Sequence, residues 1–436
     1  MGLQDLIVTP IYLILLTFAA LLVRPYVTNK ETRKYFLPAL WVRFAGAILL
    51  GILYQFYYGG GDTFNYWEHG SRWIYSAFGD DISLGIKLLL EPGGEWDPET
   101  FQYTSNIWYY RDPASYAVVK ATALFDLITF HTYSATALFF AVFSFSGLWA
   151  MYTALNKNYP ENAGRLAIAI LFVPSVIFWG SGILKDSVTI GAIGWITWSL
   201  VRWIDLRNRS FIEASVFSIS LFLIYKIKMY ILICFLPLIT VWVFFKYIKR
   251  VRNIVLKILV VPVLGAVFAI TGFFTLKQVT EDSNRYQLDN IAERVRITAY
   301  DIRYGWGART GGDGGYDIGL PDGSWQSLVS LAPKAINVSL FRPYIWEVRN
   351  PLMVLSALES LVIFLLSMRL IIKGNIRAKF SDPFLIFCIA FSMLFAFAVG
   401  VSTFNFGTLM RYKIPIMPFL GTILISQLGK NAKVEE

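Results

Sequence analysis

A carboxylate in an unusual setting is the first candidate for chemistry. The run Tyr58-Gly59-Gly60-Gly61-Asp62-Thr63-Phe64-Asn65-Tyr66-Trp67-Glu68 follows a long apolar stretch and opens an aromatic segment. That places Asp62 at the level of a membrane surface, where a carboxylate at the lip of a cavity can take a proton from an attacking hydroxyl. A plainer role is equally open: Asp is a favoured helix N-cap, and the glycines before it let the chain turn. Tyr66 and Glu68 stand beside it as candidate substrate contacts, because sugars bind through ring faces and hydrogen-bond acceptors. The same mixture recurs over 91–112, with Glu91, Glu95, Asp97 and Glu99 among Tyr103, Trp108, Tyr109 and Tyr110.

Two further runs bring cations to the same level. In Phe178-Trp179-Gly180-Ser181-Gly182-Ile183-Leu184-Lys185-Asp186-Ser187, ionisable residues join two apolar stretches. Such groups face a cavity or a partner when they lie at membrane depth. Lys185 is the candidate contact for an anionic group, with Asp186 as its local partner or as the N-cap of the next helix. Lys226 and Lys228 form a third short turn, suited to a bound anion or to snorkelling towards headgroups. Late in the chain, Arg411-Tyr412-Lys413-Ile414-Pro415-Ile416-Met417-Pro418 offers a planar fork and a point charge for phosphate before a proline-kinked span. Arg342, Glu347 and Arg349 lie beside the membrane, and Glu359 is an inward polar site within a span.

Metal and nucleotide chemistry find no motif. The two cysteines, Cys234 and Cys388, sit in apolar runs, and the two histidines, His69 and His131, are far apart. Gly311-Gly312-Asp313-Gly314-Gly315 lacks the Lys-Ser/Thr of a phosphate-binding loop and reads as a turn.

The elements that must position these residues are membrane helices. With 56% hydrophobic and 16% charged residues among 436, the chain has too little polar surface to cover a soluble fold of this size. Apolar stretches at 5–23, 36–57, 134–155, 166–182, 187–203, 211–225, 229–246, 254–275, 351–372, 383–401 and 414–428 give about eleven spans. The stretch 115–130 is short, carries Lys120 and Asp126, and follows Asp112-Pro113, so it reads as a re-entrant or interface-lying helix. A second interfacial helix is expected over 63–78. Clusters such as Lys246, Lys249, Arg250 and Arg252 set the orientation by the positive-inside rule, with the N-terminus outside and the C-terminus cytoplasmic. The net charge of +10 is therefore a topology signal and does not point to nucleic acid. The expectation is one all-α membrane domain over 1–436 with two large extracytoplasmic loops, 59–133 and 276–350.

Four features together resemble the integral-membrane glycosyltransferases of the GT-C type and their relatives among bacterial cell-surface polysaccharide polymerases. They are the acid outside an early span, the first loop with its amphipathic helices (63–90 and 115–130), the large late loop, and Arg-Tyr-x-x-Pro-x-x-Pro over Arg411 to Pro418. The resemblance implies a sugar donor carried on polyprenyl phosphate or pyrophosphate, a glycan or lipid acceptor, and work on the extracytoplasmic face of the bacterial inner membrane. It matches Asp62 to the catalytic base and Arg411 to a phosphate ligand; Lys185, Arg342 and Lys413 are further candidate cations from their own runs, beside that match. One departure stands: the acid of the commonest arrangement follows the first span, whereas Asp62 follows the second. A polymerase would instead rely on Arg294, Arg296, Arg303 and Arg309. A transporter or flippase would need the same cavity and cations without a base, and would bring polar residues such as Asp186 and Glu359 into the spans.

Overall fold

The computed structural model describes residues 2–206, 210–248, 291–301, 304, 315–373 and 382–425. Among the described residues the only β-type pairing is an isolated bridge between Gly315 and Asn405. The chain divides into two compact units, Met1–Met229 and Tyr230–Glu436.

In the first unit, α1 (Leu3–Val27), α2 (Arg33–Phe56) and α8 (Tyr133–Asn158) are long and apolar enough to cross a membrane. The same holds for α12 (Phe211–Ile248), and for α16 (Pro351–Lys373) and α17 (Pro383–Thr403) of the second unit. With these helices the chain is an all-α integral membrane protein. Packing centres on α8 and α11 (Lys185–Ile204), whose backbones touch at glycine. A Cβ on Gly147 would stand 1.9 Å from the carbonyl oxygen of Gly191, so only glycine lets the two helices approach this closely.

Between α2 and α8 lie the elements that form the first loop. They are α3 (Asp62–Tyr66), a π turn (Trp67–Ser71), α4 (Arg72–Asp80), α5 (Ile82–Leu90), α6 (Phe101–Thr104) and α7 (Pro113–Thr129). The stretch 63–78 is thus helical, with a π turn inserted. The helix expected at 115–130 is α7, started by Asp112, which accepts from Ala114 N at 3.2 Å, and by Pro113 at its first position.

Two expected spans are built differently. The stretch 166–182 is two short helices, α9 (Ala163–Leu171) and α10 (Pro174–Trp179), parted at Phe172-Val173 because Pro174 forces Val173 out of the helical region, to φ −70° and ψ 122°. Buried Arg43 of α2 closes the C-terminal end of α10, donating to the carbonyls of Val176 (2.8 Å) and Gly180 (3.1 Å) and to Ser144 Oγ (3.1 Å). The turn expected around Lys226 and Lys228 is no loop: α12 continues through it, interrupted only by the non-helical backbone of Lys228 at φ −144° and ψ 69°. The stretch 254–275 lies outside the described residues.

The second unit contains α13 (Ile291–Tyr300), α14 (Trp325–Ser330), α15 (Ala332–Phe341), α16, α17, α18 (Phe406–Tyr412) and α19 (Met417–Ile425). Rings of Phe235, Phe387, Phe391 and Phe419 pack at its centre at 5.0–5.9 Å, edge to face in three of these contacts and tilted between Phe235 and Phe419. Pro415 and Pro418 do not kink one span. The helix stops at Tyr412, passes through a 3-10 turn (Ile414–Ile416) and restarts at Met417.

Candidate functional site

Asp62 is the first residue of α3, and the cap position belongs to Gly61. Gly61 adopts φ 129°, and a Cβ there would stand 2.7 Å from the ring of Tyr54, so glycine is required twice over. The capping role weighed for Asp62 therefore falls to its neighbour. Half-buried Asp62 instead accepts a hydrogen bond at Oδ1 from Tyr109 Oη at 3.0 Å. Asn65 donates to the same phenol at 3.3 Å, and the Tyr66 ring lies 5.0 Å from the Tyr109 ring. Tyr66 is only 2% exposed, so it backs Tyr109 and does not present a face to substrate. Glu68 is exposed on the π turn.

Tyr109 opens a single turn that Asp112 closes, with Asp112 N donating to Tyr109 O at 3.1 Å. At the far end, Asp112 Oδ2 receives Ser115 Oγ at 2.5 Å and Lys185 Nζ at 3.1 Å. Burial alone would raise the Asp112 carboxyl, but the Ser115 hydroxyl and the Lys185 ammonium outweigh it and hold it below the usual carboxylate range. Asp62 and Lys185 are thereby anchored to the two ends of one four-residue turn.

Lys185 and Asp186, neighbours in sequence, make ion pairs in different directions. The N-cap of α11 is Leu184, which displaces Asp186 from the expected cap position. Asp186 is fully buried and meets Lys228 Nζ at 2.5 Å, so the cation read as an anion site or a snorkelling group has a protein partner. Lys226 lies 5.7 Å from the rings of Phe222 and Tyr225.

The acids and rings over 91–112 largely serve one another. Glu91 accepts from Thr100 Oγ1 and Tyr110 Oη, both at 3.0 Å, and Tyr103 donates to Asp80 at 2.7 Å. Lys87 pairs with Asp97 (2.7 Å) and Glu99 (2.5 Å). Burial, and then the bond to Glu91, push the Tyr110 phenol up to about 12, so it stays a donor at physiological pH. These contacts order the loop that holds Tyr109. Trp108 stays 65% exposed, stacked on His69 at 3.9 Å.

In the second unit, two expected phosphate ligands have structural tasks. The Arg342 guanidinium forks onto Glu347 and lies over the rings of Phe406 (5.4 Å) and Tyr344 (5.8 Å). Lys413 is completely buried, its Nζ 3.4 Å from Ser360 Oγ, which in turn donates to Arg342 O at 3.1 Å. It is neither a snorkelling cation nor an open anion contact. Arg411 is half-buried on α18, whose start is capped by Asn405. Of the arginines considered for a polymerase, Arg294 is exposed and Arg296 pairs with Glu293 at 2.5 Å, while Arg303 and Arg309 lie outside the described residues. So do Gly311 to Gly314.

Three contributors were not singled out by sequence: Tyr109 and Asp112 as anchors, and Arg43 as the cap on the end of α10. An arginine within an apolar run was the available signal for the last. Among the described residues, no group of His, Cys, Asp and Glu could hold a metal ion. Compared with protein-family models, with curated proteins and with solved structures, the chain gives no match.

Proposed function

We propose that the chain is a membrane glycosyltransferase or polysaccharide polymerase that moves a sugar from polyprenyl phosphate or pyrophosphate to a hydroxyl of a glycan or lipid acceptor. One observation carries it: a half-buried carboxylate, Asp62, and an ammonium, Lys185, held to the two ends of the turn Tyr109–Asp112. The acceptor hydroxyl gives its proton to Asp62 as its oxygen bonds to the anomeric carbon. The bond from that carbon to the phosphate oxygen breaks on the opposite face, and the configuration inverts. Lys185 stabilises the charge that grows on the departing phosphate, with the Asp112 carboxylate occupying the anion position until the donor arrives. In this scheme the site faces outside, the N-terminus lies on the same side, the C-terminus is cytoplasmic, and the membrane is the bacterial inner membrane.

The test is sugar transfer by purified protein from a polyprenyl-phosphate donor, measured against donor concentration. Lys185→Gln should weaken the donor requirement by a factor corresponding to about 1.5–3 kcal/mol, the strength of a charge-assisted bond. Unchanged donor dependence contradicts the assignment.

Two observations favour a second function, a transporter or flippase of a lipid-linked or anionic substrate. The Asp186–Lys228 pair is buried in the first unit. An apolar groove of about 650 Å3, whose lining includes Leu16, Phe36, Trp149 and Trp198, also has the cations Lys157 and Arg202 on its walls. Movement of the lipid across a vesicle without any acceptor-dependent product would identify this function.

A further inference from the structure

We propose that a second cavity of the first unit, built around His131, binds one neutral sugar unit. It has a volume of about 320 Å3 and is lined by residues 2–5, by Trp67, Glu68 and Arg72 about the π turn, and by His131 and Thr132 ahead of α8. That is the small end of ligand pockets, with room for a single ring and not for an acyl chain.

His131 is held in place from several sides. Its Nδ1 lies 2.9 Å from Asp126 Oδ2, and Asp126 is fully buried, accepting also from Ser71 (2.5 Å) and Thr136 (2.6 Å). The imidazole is stacked between Trp67 at 4.4 Å and Tyr75 at 5.5 Å. Its backbone and that of Phe130 adopt φ 51° and 55°, a left-handed pair without glycine, which persists only where the surroundings enforce it. The contact with Asp126 fixes the ring through Nδ1, and the imidazole can offer a hydrogen-bonding nitrogen to a ligand.

Two buried polar atoms of the lining have no hydrogen-bond partner in the protein, Trp67 Nε1 and Thr132 Oγ1. Thr132 is 1% exposed and stands at the N-cap of α8, where its hydroxyl would ordinarily bond to the helix, yet it makes no such bond. A buried donor and a buried hydroxyl kept without partners are costly, and a ligand that satisfies both explains them. The ligand class follows from the remaining groups. Glu68 and Arg72 cancel in charge, and Asp5 is occupied by the backbone N–H groups of Gly2 and Ser134, both at 2.8 Å. An anion would call for excess cation. What remains is a mixture of donors (Trp67, Arg72), an acceptor (Glu68) and two groups able to be either (His131, Thr132), which matches hydroxyls that each donate and accept. The class comes from this balance and not from the chemistry proposed for Asp62, so an Asp62→Asn protein should bind the same sugars.

The experiment is saturation-transfer NMR of the full-length protein in detergent with the methyl glycosides of common hexoses and N-acetylhexosamines. Wild type should give a saturable signal with at least one of them. Thr132→Val and Trp67→Phe should each weaken it roughly tenfold, the loss of a single good hydrogen bond. Thr132→Val should also melt at the same or a higher temperature, because an unpartnered polar group has been removed without losing any bond, whereas Trp67→Phe gives up part of the stack on His131 and should melt lower; one folded variant suffices for the comparison. No saturable glycoside signal in wild type, undiminished binding by both variants, or competition by inorganic phosphate would overturn the proposal.

Discussion

Tyr109 Oη donates to Asp62 Oδ1 at 3.0 Å, across 47 positions of sequence. The phenol fixes the carboxylate where α3 begins, with the Tyr66 ring behind it. Replacing Tyr109 by Phe keeps the ring and removes the bond. Sugar transfer should slow by about tenfold, the equivalent of a bond of about 1–1.5 kcal/mol, with the donor KM little changed. The check is a steady-state comparison of kcat and KM. A rise in KM with kcat intact would place Tyr109 in substrate binding.

The Asp112–Lys185 pair carries a signature in acid. Burial pushes the Asp112 carboxyl up, but Ser115 and Lys185 bring it below its ordinary value of 3.8. A depressed carboxyl stabilises the fold fully above its unfolded pKa and loses that contribution as pH falls through the folded value. Wild type should therefore lose melting temperature below about pH 4 more steeply than Asp112→Asn. Parallel profiles of melting temperature against pH would refute the pair's role.

The buried Asp186–Lys228 pair links the start of α11 to the break in α12. Breaking a buried pair leaves an uncompensated charge, so Asp186→Asn or Lys228→Met alone should cost about 3–5 kcal/mol. Asp186→Leu with Lys228→Met should recover most of it. The measurement is thermal or denaturant unfolding of the singles and the double. Additive losses would show that the two side chains act independently.

The orientation is testable with little background, because the native thiols, Cys234 and Cys388, are both buried. Cysteines placed at exposed Asn106 and exposed Glu161 should differ towards an impermeant reagent on intact cells. Asn106→Cys should react and Glu161→Cys should not. The reverse pattern would put Asp62 on the cytoplasmic side.

How far the fold was legible depended on the range of the forces that set it. The helices between α2 and α8 were readable because their signals are local: Asp112-Pro113 caps and starts α7, and the aromatic and charged mixture after Asp62 marks an amphipathic helix. The break at Phe172-Val173 was not, since one apolar helix and two have the same composition, and only Pro174 hinted at it. The cap that Arg43 places on the C-terminal end of α10 comes from more than 130 positions away and leaves no mark on local pattern. The same distance problem hid the partner of Lys228, 42 positions off. That Tyr109, and neither Trp108 nor Tyr110, reaches Asp62 is decided by one turn, and nothing in the run 108–110 distinguishes them. The partners of Arg342 and Lys413 were not readable, because cations near a membrane face look alike until Glu347 and Ser360 are seen beside them.

The central claim is that Asp62 is the base, and Asp62→Asn tests it most directly. The amide retains an oxygen to accept from Tyr109, and Gly61 remains the cap, so the melting temperature should hold. The measurement is acceptor-dependent product from a polyprenyl-phosphate sugar by purified wild type and variant at saturating donor. Product formation should fall by about two orders of magnitude or more, as expected for loss of a general base. A folded Asp62→Asn protein that transfers sugar at close to the wild-type rate would contradict the account.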